Sequence, residues 1–90
     1  MAEIQTSLDW QKTAQTLQMT LIRVPEGQPR RQLIDHMVKI QTMVSELSKE
    51  EVNCRRRQKQ TLKHKEQLTK INKEIDQLEQ MITFTMLAGR

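Results

Sequence analysis

Aromatic, disulfide-forming and chain-turning residues are all scarce in this 90-residue sequence. It has no tyrosine, one tryptophan, one phenylalanine, one cysteine, two glycines and two prolines. A single cysteine forms no intrachain disulfide, which excludes a secreted, disulfide-stapled mini-domain. So few glycines and prolines leave few turns and argue against a sheet-rich fold. Large side chains for a globular core are also short, since hydrophobic residues make up 36% and aromatics 2% of the chain. A chain of this length is at most one domain and buries a modest share of its surface. No run approaches the roughly 20 apolar residues that a membrane span requires. The most apolar stretch, Met81 to Ala88, is far too short and carries two threonines. Glu3 and Asp9 stand where a signal peptide needs a basic region and then an unbroken apolar run. The expectation is a cytoplasmic or nuclear protein that does not engage membranes.

What the sequence has in quantity is Gln, Lys, Glu, Leu, Ile, Met and Arg, which are good helix formers. The strongest punctuation is Val24-Pro25-Glu26-Gly27-Gln28-Pro29. Pro25 stops a helix arriving from the N-terminal side, Gly27 permits a reversal, and Pro29 suits the first turn of a new helix. Before it, Trp10, Ala14, Leu17, Leu21 and Val24 recur at spacings of 4, 3, 4 and 3, with Ile4, Leu8, Met19 and Ile22 on a neighbouring stripe. That pattern predicts an amphipathic helix over about 3–24, starting at Thr6 or Ser7 or slightly earlier. After the turn at 25–29, Leu33, Met37, Ile40, Val44 and Leu47 repeat the spacing, flanked by Ile34, Val38 and Met43. A second wide-faced helix is expected over about 30–47. Ser48 and Glu51 have capping-box spacing, with Leu47 and Val52 placed for a hydrophobic staple. Either the chain breaks there or it runs straight through.

From Lys49 to about Leu87 no glycine or proline interrupts the chain. Its second half carries the cleanest pattern: Leu68, Ile71, Ile75, Leu78 and Ile82, at spacings of 3, 4, 3 and 4, fit heptad a and d positions. Extending the register backward puts His64, Thr61, Arg57 and Cys54 on the seam, so it is poor before Leu68. A long coiled-coil helix over about 49–87 is expected, reaching nearly ~60 Å at 1.5 Å per residue, with Gly89 as its cap. In a parallel homodimer Glu74 would face Glu79 of its mate, and like charges disfavour that pairing. An antiparallel intrachain bundle, a mixed oligomer or a heteromeric coiled coil is preferred.

Charge is uneven. Between Lys49 and Lys73 nine basic residues face three glutamates, leaving about +6 there and about −2 elsewhere. On one continuous helix Arg55, Lys59, Lys63 and Lys70 would align on one flank, beside Arg56 and Arg57. Such a row is able to follow phosphates, although a solvated face is the first explanation, with an acidic protein partner beside nucleic acid as the others. The basic segment before heptads resembles the layout of basic leucine zippers. That family places small residues after its asparagine, whereas Asn53 is followed by Cys54 and three arginines, and the chain is not assigned to it.

Nothing points to catalysis. His36 and His64 lack partners at zinc-ligand spacing, Cys54 lacks a base, and there is no glycine-rich phosphate loop. No enzyme activity, cofactor, metal or small-molecule substrate is expected. The sequence reads as one all-α domain, a two- or three-helix hairpin or bundle with a long C-terminal coiled-coil helix, expected to be oligomeric. Its work would be protein–protein interaction or assembly, as a subunit or adaptor, through Leu17, Leu21, Met37, Val44, Leu68, Ile71, Ile75, Leu78 and Ile82. Partners would be other helices or further copies of the chain. The alternative is backbone-directed binding of duplex nucleic acid through Arg55, Arg56, Arg57, Lys59, Lys63 and Lys70.

Overall fold

The computed structural model describes residues 3–88 as three helices, α1 (Ser7–Ile22), α2 (Gln28–Arg57) and α3 (Leu62–Ala88), with no strand among the described residues. The expected cap at Gly89 lies outside them. Thr6, in extended conformation, caps α1: its hydroxyl accepts from the Asp9 amide at 3.4 Å, and the Asp9 carboxylate accepts from the Thr6 amide at 3.2 Å. This reciprocal pair satisfies two of the amides that a helix start leaves without partners. A further bond from the Gln5 amide at 2.9 Å helps hold the Asp9 carboxyl below its usual range. The turn before α2 forms where Pro25, Gly27 and Pro29 predict it. Gly27 sits at φ 146°, a region that L side chains avoid, and Pro29 lies in the first turn.

The unbroken helix expected from 49 to 87 does not form, and neither does a break at Ser48. Helix α2 runs through Ser48, which faces solvent. Leu47 is fully buried while Val52 is about half exposed, so no staple closes there. Glu51, expected to cap locally, instead turns toward Ser7 on α1. The chain reverses at 58–61 without glycine or proline. Gln58 adopts the left-handed conformation at φ 58°, its amide donates to Arg55 O at 3.2 Å, and the Lys59 amide donates to Cys54 O at 3.1 Å. This is a Schellman closure, built on glutamine where glycine is usual. Three residues later the Thr61 hydroxyl accepts from the His64 amide at 3.2 Å and so starts α3.

The reversal lays α3 antiparallel on α2. The α2 stripe Leu33, Met37, Ile40, Val44 and Leu47 meets Ile71, Ile75, Leu78 and Ile82 of α3 and Trp10, Leu17 and Leu21 of α1 in one core. Leu33, Ile40, Leu47, Ile71 and Leu78 are almost completely removed from solvent. Burial of that kind contributes about 1.5–3 kcal/mol per leucine or isoleucine. The result is a rod of 50 × 18 × 15 Å. Its N-terminal segment is fastened separately: buried Ile4 donates its amide to Asn72 Oδ1 at 2.8 Å and accepts from Asn72 Nδ2 at 2.9 Å. One amide side chain on α3 thus satisfies both backbone groups of a residue that belongs to no helix.

Candidate interaction surfaces

The residues that periodicity nominates for contact with a partner are used inside the chain. Leu17, Leu21, Met37, Val44, Ile71, Ile75, Leu78 and Ile82 are buried in the core, and Leu68 is half-buried against it. Glu74, the residue that would meet Glu79 in a parallel dimer, faces α2 of its own chain. Its carboxylate lies 2.9 Å from His36 Nε2 and 3.5 Å from Lys39 Nζ, and the same imidazole nitrogen sits 3.1 Å from its carbonyl oxygen. A histidine and a glutamate 38 positions apart carry no local signal of this pairing; the antiparallel register of α2 and α3 makes it.

What remains outside is the second stripe of each helix. Leu8, Met19 and Ile22 of α1, and Ile34 and Val38 of α2, are exposed. The apolar faces of α1 and α2 are therefore too wide for the partners that the chain itself supplies. Ile22, Ile34 and Val38 gather with Leu21 and Met37 along one groove between α1 and α2. On α3, Phe84 is 75% exposed and Leu87 61% exposed, on a face shared with Asp76, Glu79, Gln80 and Thr83. Both groups belong to the end of the rod away from the 58–61 reversal.

At the reversal the composition is different. The single flank that would align Arg55, Lys59, Lys63 and Lys70 does not exist, because α2 ends at Arg57 and Lys59 lies in the turn. Arg55, Arg56 and Arg57 close α2, Lys63 and Lys65 open α3, and all of these, with Lys59, are exposed. Lys70 stands further along α3, and it and Lys63 line a groove that also holds Glu46 and Glu66. Beneath the turn lies a polar network. Glu50, buried, accepts from Asn53 Nδ2 at 3.1 and 3.3 Å and from the Thr61 hydroxyl at 3.1 Å. The Asn53 amide does most to hold the Glu50 carboxyl below the usual range; burial opposes it, and the Thr61 bond and the charges of Lys63 and Arg57 assist. Glu51 accepts from the Ser7 amide at 2.8 Å and the Ser7 hydroxyl at 2.5 Å.

The poor seam between Cys54 and His64 is thus where the chain turns. Cys54 is half-buried with Sγ 3.6 Å from Thr61 Oγ1, and Arg57 is exposed. His64 is buried, its Nδ1 2.9 Å from Gln60 Nε2 and its Nε2 3.8 Å from Glu51 Oε2. Glu51 lies between Ser7 and His64, and the arrangement ties α1, α2 and α3 together. Among the described residues no three His, Cys, Asp or Glu side chains converge on a metal position, and no helix is long and apolar enough to cross a membrane. Neither a family model, nor a curated protein, nor a solved structure matches the chain.

Proposed function

We propose that this chain is a small α-helical interaction or assembly subunit, an adaptor whose contact surface is the apolar residue set that its own core leaves uncovered. The observation that carries this reading is the groove of Ile22, Ile34 and Val38 between α1 and α2, with Phe84 and Leu87 exposed on α3. Contiguous apolar surface of this kind marks contact sites in small soluble proteins, whereas scattered single residues do not. A helix of a partner, or of a second copy, laid in the α1–α2 groove would complete the width of both apolar faces.

Substituting Ile75 or Leu78 does not test the reading, because both are core residues and a charge there unfolds the subunit. Ile34→Glu with Val38→Glu is the informative pair, since both side chains already stand partly in water. Circular dichroism should show unchanged helix content. Sedimentation of the wild type should exceed the 10.7 kDa monomer, or affinity recovery from a lysate should retain partners that the double variant loses. A wild-type monomer that recovers the same proteins as the variant overturns the reading.

A further inference from the structure

We infer that the turn end of the α2–α3 hairpin is a contact site for the phosphate backbone of duplex nucleic acid. The site is separate from the apolar surface at the other end of the rod. Six cations, Arg55, Arg56, Arg57, Lys59, Lys63 and Lys65, fall within eleven consecutive residues that contain no acid, and all six are exposed. Two of the nearby carboxylates are turned inward and occupied, Glu50 by Asn53 and Thr61 and Glu51 by Ser7, while Glu66, next to Lys65, is exposed and lines a groove with Lys63. Among the described residues none of the six is in an ion pair, the four pairs present being Arg30–Glu26, His36–Glu74, Lys39–Glu74 and His64–Glu51. Even with Glu50, Glu51 and Glu66 counted against the six, the positive charges at this end exceed the negative by three.

The usual structural use of terminal cations explains part of this charge at most. Arginines in the last turn of α2 offset its negative dipole end, worth roughly half an elementary charge. The hairpin places the positive N-terminal end of α3 beside it, so the two dipoles largely cancel and the side-chain charge stands alone. Both helix ends are closed, by the Schellman bonds at Gln58 and Lys59 and by the Thr61 cap, so the cations are carried on a firm support. The rod is 18 × 15 Å in section. Along a duplex, that width spans roughly ten phosphates counted over both strands at one charge per ~1.7 Å, of which about half lie on the facing side. No aromatic residue lies in this region to stack a base, which favours backbone contact over single-strand binding.

Fluorescence anisotropy of labelled duplex DNA and duplex RNA with the full chain tests the assignment. Five or so phosphate contacts predict a log–log salt slope of about −4 to −5 and an affinity loss of about 10²–10³-fold between 50 and 200 mM salt. Lys59→Gln/Lys63→Gln/Lys65→Gln should shrink the slope by about 3. Arg55→Gln/Arg56→Gln/Arg57→Gln should do the same, and helix content by circular dichroism separates lost contact from a frayed α2 end. Lys70→Gln should change nothing, since Lys70 is on α3 away from the turn. No binding at low salt overturns the assignment, as does an unchanged slope in both folded triple variants. Leu62 stands exposed among the cations, so anionic vesicles and polyglutamate are the competing probes. Tighter binding to either than to duplex overturns the assignment too. Ile34→Glu/Val38→Glu should leave duplex binding intact, so failure here and failure of the assembly reading are distinguishable.

Discussion

The two ends of the rod are held together by different chemistry. Away from the turn, the α2–α3 contact is mostly hydrocarbon, with Leu33, Ile40, Ile71 and Leu78 interlocked and the His36–Glu74–Lys39 contact as its polar part. Near the turn the same two helices are joined through Glu50, Asn53, Thr61, Cys54 and His64, with Ser7 of α1 reaching Glu51. The apolar end draws on burial, which is non-directional and tolerates a slide of register. The polar end draws on hydrogen bonds that have one geometry each, and they fix where the chain turns. Most of the burial therefore lies away from the turn, and most of the directional bonds lie near it.

The largest effect is expected from the apolar end. Leu78→Ala removes a side chain with no exposed surface and leaves a cavity against α2. Such truncations cost about 2–5 kcal/mol. That is a large part of the stability of a domain this small, so urea unfolding should show a midpoint near zero or a chain already unfolded. A loss below ~1 kcal/mol would mean that the hydrocarbon end is not the principal source of stability. Thr61→Ala strikes the other end. It removes the cap on the His64 amide and one of the bonds to buried Glu50. About 1–2 kcal/mol should be lost in the same assay. If the variant is as stable as wild type, the polar end is ornamental.

Gln58→Gly sharpens the comparison in the opposite direction. A residue with a Cβ costs about 1–2 kcal/mol in the left-handed conformation, and glycine escapes this at some cost in unfolded-chain entropy. A net gain of about 0.5–1 kcal/mol is expected, with no change in helix content. A loss would show that the Gln58 side chain contributes more than its backbone strain removes.

That same glutamine explains what the sequence showed and what it concealed. The helical class was legible because the buried stripes Trp10–Leu17–Leu21, Leu33–Ile40–Leu47 and Ile71–Leu78 keep helical spacing without exception. The first turn was legible because Pro25, Gly27 and Pro29 each restrict the backbone on their own. The second turn was not, because it rests on no residue with a special backbone. Gln58 tolerates the left-handed region only because the Schellman bonds and the burial of α3 on α2 outweigh its strain. Two weak local signals were present: the seam failed from Cys54 to His64, and Thr61 stood three residues before His64 as a cap. The Ser48–Glu51 pair offered a stronger local cap at the wrong place. It lost because Leu47, directly before it, belongs to the core stripe, and a break there would have pulled that side chain out. The residues that periodicity nominates for contact lie in the core for the same reason. Periodicity identifies which side chains need burial, but only the fold decides which are satisfied within the chain. Ile34 and Val38, which flank the α2 stripe, are among those left exposed.

The smallest expected effect is on acid stability, and it belongs to the polar end and to the start of α1. Glu50 and Asp9 both have their carboxyls held below the usual range, Glu50 chiefly by the Asn53 amide and Asp9 chiefly by the Gln5 backbone amide. In the unfolded chain each group takes up its proton at a higher pH than in the folded one. Between the ordinary value and the lowered one the unfolded state therefore binds more protons, so stability falls as pH falls. The contribution is fully present above the ordinary carboxylate range, near pH 4–5, and is lost as pH drops through the folded values. Urea midpoints should stay level with respect to these two groups from pH 7 to about 5 and decline below it. Glu50→Gln should shallow that decline, and Leu78→Val, which weakens only the hydrocarbon end, should lower the whole curve without changing its shape. An acid limb equally steep with and without the Glu50 carboxylate would remove Glu50 from the account and leave Asp9, at the opposite side of the Ser7–Glu51 contact, as the group that senses acid.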